Sequence, residues 1–253
     1  MTLILLLAIA SFLAGFVDAV VGGGGLVQIP ALLILLPGMP IATILGTNKF
    51  ASCAGTTIAV QRYARQVPID WSSILPAAVA AFVFSFLGSR TVTLLSATFM
   101  RPIVLALLVL VAIYVFVVKD LGLVHQPKHT PKKATYLGVL IGAGLGFYDG
   151  FFGPGTGSFL IFLFVGVFGF DFLAASASAK VINWATNIAS IIYFGWTEHI
   201  LYQYAVPMAV CNIVGAAIGS HLAIAKGSRF VRVFFLVIVC ALIAKLAQSI
   251  IAP

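Results

Sequence analysis

Long apolar runs separated by short polar stretches extend along the whole chain. Runs without Asp, Glu, Lys or Arg cover residues 2–17, 71–89, 102–118, 150–170, 181–197 and 200–225. A helix needs about 20 mostly apolar residues to cross a bilayer, and the longer runs reach that length. Residues 105–118 are apolar on every side, whereas a β-barrel strand alternates apolar and polar positions. The pattern predicts an all-α integral membrane protein with about 8–10 membrane segments.

The composition fits lipid, not water, as the surrounding solvent. Hydrophobic residues make up 62% of the 253 residues and charged residues 8%, whereas a soluble domain has about 25% charged residues. The net charge of +8 comes mostly from basic residues in short loops, which is typical of the cytoplasmic loops of membrane proteins. We therefore expect a multi-pass protein whose surface contacts a lipid bilayer and not nucleic acid. The sequence carries no signal for an oligomeric state.

The chain aligns with itself at an offset of 131 residues. At this offset Asp18 matches Asp149, Lys49 matches Lys180, and the glycine-rich segment 22–25 matches 153–156. Pro76 also matches Pro207, and Arg101 matches Arg232. Matched polar residues at one offset indicate a duplication. We predict a first membrane repeat over residues 1–118 and a second over 134–253, joined by a basic linker over 119–133.

The loop charges predict that the two repeats have opposite orientations. Arg62 and Arg65 follow the third apolar segment of the first repeat, whereas the matching Glu198-His199 loop has no Lys or Arg. The basic 119–133 linker is expected in the cytoplasm. Inversion requires an odd number of crossings, and five per repeat fit the runs. The sequence leaves open whether the short segments 26–36 and 155–169 cross the membrane or re-enter from one side.

Two glycine-rich breaks interrupt membrane-length segments at matching positions. They contain Gly22, Gly23, Gly24, Gly25, Gly153, Gly155, Thr156 and Gly157. Unwound backbone survives at membrane depth only where protein or a water-filled cavity satisfies it, and half-helix N-termini attract anions. We expect two breaks that face each other around a bound anion. The alternative is that these glycines only allow close helix packing.

A polar stripe headed by lysine follows each break. Its members share one helix face by their spacing: Lys49, Ser52 and Thr56 in the first repeat, and Lys180, Asn183 and Asn187 in the second. Asn48 adds a further polar group beside the first lysine. Ionisable groups inside a membrane are costly and point to function. The alternative is that both lysines lie near helix ends and extend to the lipid headgroups.

The matched Asp18 and Asp149 admit three interpretations. Each carboxylate can carry a coupling proton, form an ion pair with a lysine, or cap a broken helix through its side chain. No sequence pattern for a metal site, a cofactor or a nucleophile–base pair is present, and we expect none of these. The chain is therefore not expected to be an enzyme.

Several of these segments together resemble a known family. The segments GFVDAVVGGGGLVQIPALL, GTNKF at residues 46–50, and GFYDGFFGPGTGSF are similar to those of the TauE/SafE sulfite exporter family. The resemblance covers essentially the whole chain and implies a bacterial inner-membrane carrier for sulfite, thiosulfate or an organosulfonate. It places the anion at Asn48, Lys49 and the Lys180–Asn183 stretch. The second repeat reads SASAK, so Asn48 has no direct counterpart at Ala179.

The leading hypothesis is a secondary transporter that binds a small anion near the midplane between the repeats. A proton or sodium ion is the expected coupling ion. The alternatives are an anion channel and a membrane scaffold that transports nothing. Loss of function in Lys49→Ala and Lys180→Ala would favour the transporter over the scaffold.

Overall fold

The computed structural model describes residues 2–94 and 126–251. The 102–118 run, the 119–125 part of the linker and Arg101 lie outside the described residues. The helices are α1 (Thr2–Val21), α2 (Gly25–Leu35), α3 (Ile41–Gln66), α4 (Trp71–Leu94), α5 (Pro131–Phe151), α6 (Thr156–Leu163), α7 (Phe172–Trp196) and α8 (Tyr202–Ile251). A π-helical turn over Phe164–Phe168 extends α6, and Gly227 interrupts α8 with a φ of 70°.

Three of the described helices are long and apolar enough to cross a membrane, namely Thr2–Val21, Trp71–Leu94 and Tyr202–Phe234. α3 and α7 are also long, with 26 and 25 residues, but they carry the polar stripes. The described residues contain helices and no strand. The prediction of an all-α membrane protein is therefore confirmed.

Matching rows of large apolar side chains face outward on α4 and α8. The exposed residues on α4 are Leu75, Val79, Val83 and Leu87. Those on α8 lie 131 positions later and are Val206, Val210, Val214 and Ile218. A spacing of four residues places each row on one helix face. An apolar face of this extent marks an interaction surface, and for helices of this composition the contacting phase is lipid.

Helix boundaries recur at the offset found in the sequence. α2, α3 and α4 begin at Gly25, Ile41 and Trp71, and α6, α7 and α8 begin 131 residues later in each case. The contacts recur in the same way, because α1 packs on α8 while its counterpart α5 packs on α4. The start of α7 is fixed by Asp171, whose carboxylate accepts hydrogen bonds from the Leu173 and Ala174 N–H groups at 2.8 and 3.0 Å. Such a side-chain cap satisfies donors that a helix start leaves free.

Each short segment folds back on the helix before it. Leu3 and Leu7 near the start of α1 belong to the same apolar cluster as Leu32 and Leu35 near the end of α2. α2 has 11 residues, about 16 Å at 1.5 Å per residue, against a hydrocarbon core of about 30 Å. α5 and α6 form the equivalent hairpin, because their outer ends share another cluster. Both segments that the sequence left open are therefore arms of helical hairpins.

The two hairpins approach from opposite ends of α3. α3 and α7 are antiparallel, because Thr47 in α3 accepts a hydrogen bond from the Leu201 N–H after α7 at 3.1 Å, while Tyr63 meets Ser176 at the other end. The α1–α2 hairpin has its outer end in the cluster that contains Ile44 and neighbours of Leu201. The outer end of the α5–α6 hairpin lies in the cluster that contains Tyr63. The tips of the hairpins therefore point toward each other.

A glycine ladder holds α5 against α4. Gly138, Gly142, Gly146 and Gly150 lie against Ser73, Ala77, Ala81 and Ser85, respectively. A Cβ at Gly142, Gly146 or Gly150 would collide with the α4 backbone, whereas a Cβ at Gly144 on the same helix would have no described residue within 4 Å. Small residues let membrane helices approach closely where no water drives them together. The close approach fixes the depth at which the α5–α6 tip lies.

Candidate functional site

The glycine-rich breaks meet at the two hairpin tips. Gly22 lies in backbone contact with Gly157, and Gly25 lies against Pro154. Gly22 has a φ of 76°, in the left-handed region that favours glycine. The Ser158 N–H donates to the Gly22 carbonyl at 3.2 Å, which joins the two tips. The N-termini of α2 and α6, with their partial positive charge, therefore come together where the hairpins touch.

One buried ion pair lies beside the second tip. The Lys49 ammonium in α3 is 2.5 Å from Asp149 Oδ2 in α5, and the two side chains are 3% and 2% exposed. The same ammonium lies close to Gly153, where an added Cβ would be 3.3 Å from Nζ. A larger residue at Gly153 would therefore press on the ion pair. The sequence interval between the partners is 100 residues, so only the tertiary fold brings them together.

A second ion pair occupies the equivalent place beside the first tip. Lys180 Nζ in α7 is 3.0 Å from Asp18 Oδ2 in α1, with exposures of 0% and 13%. Thr56 donates to the same carboxylate oxygen at 3.5 Å, and Asn187 donates to the Thr56 hydroxyl at 3.5 Å. Thr56 and Asn187 are themselves matched by the offset, so the two polar stripes touch at matched positions.

Each ion pair joins one half of the chain to the other. Two lysines and two aspartates give the cluster no net formal charge, which lowers the cost of holding it away from water. The alternative that the lysines extend to the headgroups is wrong, because both ammonium groups are buried and paired. Neither aspartate caps α2 or α6, whose N-caps are Gly24 and Gly155 without a side-chain hydrogen bond.

Hydroxyl groups from other helices satisfy the carbonyl groups that end α1. Tyr63 OH donates to the Ala19 carbonyl at 2.9 Å, Ser176 to Val20 at 3.1 Å, and Ser158 to Val21 at 2.8 Å. The last carbonyl groups of a helix have no partner within it, and an unpaired one at membrane depth is costly. The sequence interpretation missed these three side chains, although Ser158 directly follows the glycine-rich break.

Other predicted residues lie near the cluster without joining it through their side chains. Ser52 and Asn183 supply backbone carbonyl groups to Thr56 and Thr186. Asn48 is buried, and its Oδ1 has no hydrogen-bond partner in the described part of the chain. Thr156 donates to the Gly153 carbonyl at 2.8 Å and so stabilises the second tip.

A further buried polar cluster, formed by Asn212, Ser11 and Gln28, lies beside the α1–α2 hairpin. Asn212 in α8 donates to the Ser11 carbonyl at 3.0 Å and to Gln28 Oε1 at 3.2 Å. The residues matched to Asn212 and Gln28 by the offset are Ala81 and Phe159, so the second hairpin lacks this cluster. Sequence comparison of the halves could have found it, because the polar residues here break the repeat.

An open cleft of about 390 Å³ lies away from both ion pairs, between the α3–α4 loop and the linker. Asp70 and His129 line it together with Pro68 and Phe168. It contains none of the predicted site residues. The candidate site is therefore the closed charged cluster at the hairpin tips and not this surface cleft.

The fold and the cluster define a polytopic helical membrane protein with charged groups held between broken helices, an arrangement typical of solute transporters. The chain belongs to the sulfite exporter TauE/SafE family, whose family model matches residues 7–246. The transporter class and the multi-pass location in the plasma membrane follow from this membership.

Bacterial relatives carry transporter names. The chain is 34% identical over 245 residues to "Probable membrane transporter protein ORF9" of Sinorhizobium, covering 96% of this chain and 92% of that protein. A probable membrane transporter protein of Haemophilus influenzae is 33% identical over 98% of this chain and 95% of its own length. YfcA of Escherichia coli K12, also named a probable membrane transporter protein, is 32% identical over 93% and 86%. No solved structure matches the chain.

Proposed function

We propose that this protein is a secondary transporter, without enzymatic activity, for a small sulfur-containing anion such as sulfite, thiosulfate or an organosulfonate. The observation that carries the proposal is the pair of buried Lys–Asp bridges, each joining the two halves beside a hairpin tip. Two ammonium groups and the N-termini of α2 and α6 converge there, and both features attract anions. The family name supports a sulfur oxyanion as the substrate class.

The site residues divide into two roles under this proposal. Lys49 and Lys180 bind the anion by charge, and Thr56 and Asn187 supply hydrogen-bond donors between them. The glycines of the tips keep the backbone bare, so that an anion can approach the N–H groups of the two half-helices. In the closed arrangement both ammonium groups are buried, which corresponds to a state with the site shut off from water.

An inverted arrangement of the halves in the membrane supports alternating access to this site. The antiparallel packing of α3 and α7 and the opposed hairpins are what inversion requires. The 126–128 part of the linker pairs with Phe168 and Gly169, on the side where α3 ends with Arg62 and Arg65. Lys226 and Arg229, after the long first part of α8, lie on that same side. The Ser228 hydroxyl between them donates to Asp171, at the start of α7, at 2.7 Å. We place this basic side in the cytoplasm.

Transport by the purified protein in proteoliposomes tests the proposed function. Vesicles loaded with unlabelled thiosulfate or sulfite should take up the labelled anion by counterflow, and chloride should not compete. Lys49→Ala and Lys180→Ala should each abolish the counterflow, whereas Lys132→Ala, on an exposed lysine, should leave it unchanged. Anion flux without counterflow would identify a channel instead. Absence of any flux for sulfur anions, with intact folded protein, would support the scaffold alternative.

Labelling of single cysteines tests the inversion separately. After replacement of the three native cysteines, one variant carries a cysteine at Gln66 and another at its counterpart, Thr197. The two loops should react with a membrane-impermeant reagent from opposite sides. Reaction of both from the same side would contradict the inverted arrangement without affecting the transporter class.

A further inference from the structure

We infer that Asp18 and Asp149 are the proton-coupling groups of this transporter, each exchanging its lysine for a proton when the substrate anion binds. The inference rests on the proposed function and adds the coupling ion and its stoichiometry. Each lysine already has a carboxylate partner, at 2.5 Å for Lys49 and 3.0 Å for Lys180. An incoming anion must therefore compete with a carboxylate for the same ammonium group.

The charge balance of the site determines how this competition is resolved. The closed cluster contains two positive and two negative groups, and it is buried almost completely. An added anion would leave the site negative by its own charge, and an uncompensated charge at membrane depth is unfavourable. Protonation of one carboxylate for each negative charge restores neutrality. The displaced carboxylate becomes a neutral acid, and the lysine stays an ammonium that now pairs with the substrate.

Within residues 2–94 and 126–251, the surroundings of the two carboxylates offer no other group that would take this proton. The ionisable groups in electrostatic contact with the bridges are Tyr63 near Asp18, Tyr148 near Asp149, and Cys53 near Lys49. Phenol and thiol groups are already protonated at neutral pH. Thr56 and Asn187, the other polar side chains that reach the Asp18 bridge, do not ionise. The carboxylates are therefore the groups whose protonation state changes when an anion enters.

The symmetry of the bridges gives a numerical expectation. Because each half contributes one aspartate to the other half's lysine, two equivalent exchanges are available. A singly charged anion should use one exchange and bring in one proton. A doubly charged anion that spans both ammonium groups should use both exchanges and bring in two.

Calorimetric titration of the wild-type protein in lipid nanodiscs measures this directly. Thiosulfate and methanesulfonate are suitable probes, because neither gains or loses a proton near neutral pH. Titrations at one pH in two buffers of different ionisation enthalpy give the number of protons taken up for each anion bound. We expect one proton for methanesulfonate and two for thiosulfate. Binding of both probes without proton uptake would overturn the inference and leave the proposed function standing, whereas binding of neither would overturn both.

Substitution of one aspartate assigns the protons to residues. Asp149→Asn should reduce the uptake with thiosulfate by one proton for each anion, and thiosulfate affinity should fall less steeply with rising pH. Asp70→Asn makes the same change at an exposed loop residue and should alter neither quantity. Unchanged uptake in a folded Asp149→Asn protein would contradict the assignment. If this variant does not fold, the comparison of the two probes on the wild type still decides the inference.

Discussion

The Lys49–Asp149 bridge allows the energetics of the site to be predicted in detail. Both side chains are almost fully buried and their charged atoms are 2.5 Å apart, so their attraction at an effective dielectric constant of about 20 is about 7 kcal/mol. Removal from water offsets most of this attraction, so the intact bridge adds little net stability. Removal of one partner leaves the other charge buried and alone. We therefore expect Lys49→Met and Asp149→Leu each to lower the free energy of unfolding by about 3–5 kcal/mol.

The double variant distinguishes this reasoning from simple loss of packing. With both charges replaced by apolar side chains, Lys49→Met/Asp149→Leu should be about as stable as the wild type or more stable. Reversible unfolding in mixed micelles, followed by the fluorescence of the native tryptophans, gives the four free energies of the cycle. Lys132→Met at an exposed position should stay within about 0.5 kcal/mol of the wild type. If the losses of the two single variants simply add up in the double variant, or if each single loss is under about 1 kcal/mol, the two charges do not form a buried pair.

Three further predictions concern residues outside the charged cluster. Tyr63→Phe leaves the Ala19 carbonyl without its hydrogen-bond donor and should lower the free energy of unfolding by about 1–3 kcal/mol. The same change at the exposed Tyr136 should have no measurable effect on this free energy. Gly142→Val forces apart α4 and α5 and should lower the free energy of unfolding by about 1–3 kcal/mol or more. Gly144→Val places its side chain where no described residue lies within 4 Å of the Cβ and should lower it less; thermal unfolding of the two variants measures the difference. Burial raises the pKa of Asp70, but hydrogen bonds from the next two serines outweigh it and hold the pKa below its ordinary value. The wild type should therefore lose the small stabilisation from this residue as the pH falls below about 4, and a pH series on Asp70→Asn should lack that loss.

The sequence predicted the outline of the fold because the duplication is visible in polar residues. Apolar run lengths alone indicate helices, and in the structure the helix starts at Ile41 and Phe172 recur at the offset that the polar residues share. Five crossings in each repeat fitted the sequence, but the sequence left open whether the short segments 26–36 and 155–169 cross the membrane or turn back, and the structure packs each against the helix before it in a hairpin. Run length does not distinguish a crossing segment from one that turns back, because both are apolar. The distinction depends on which clusters bury the ends of the segment.

The sequence predicted the members of the charged cluster but not their pairing. Asp18, Asp149, Lys49 and Lys180 stand out because ionisable residues are rare in membrane segments. Their partners lie 100 and 162 residues away along the chain, and only the antiparallel packing of the two halves makes each bridge join opposite halves. The donors Tyr63 and Ser176 escaped prediction for a related reason. Each satisfies a carbonyl group of a distant helix, and no local pattern marks that need.

The two hairpins are equivalent at their tips but not at their outer ends. The α6 end is held by the linker, because Gln126 and Lys128 bond to Gly169 and Phe168 and the Lys128 ammonium donates to the Gly166 carbonyl at 2.8 Å. Gly38, the counterpart of Gly169 after α2, has no described residue within 4 Å of the position that a Cβ would take. Movement of the α1–α2 hairpin would leave these linker hydrogen bonds intact, although it would break those that Asn212 makes to Ser11 and Gln28. Under the proposed mechanism the Lys180–Asp18 bridge, whose carboxylate is already the more exposed of the two, opens before the Lys49–Asp149 bridge.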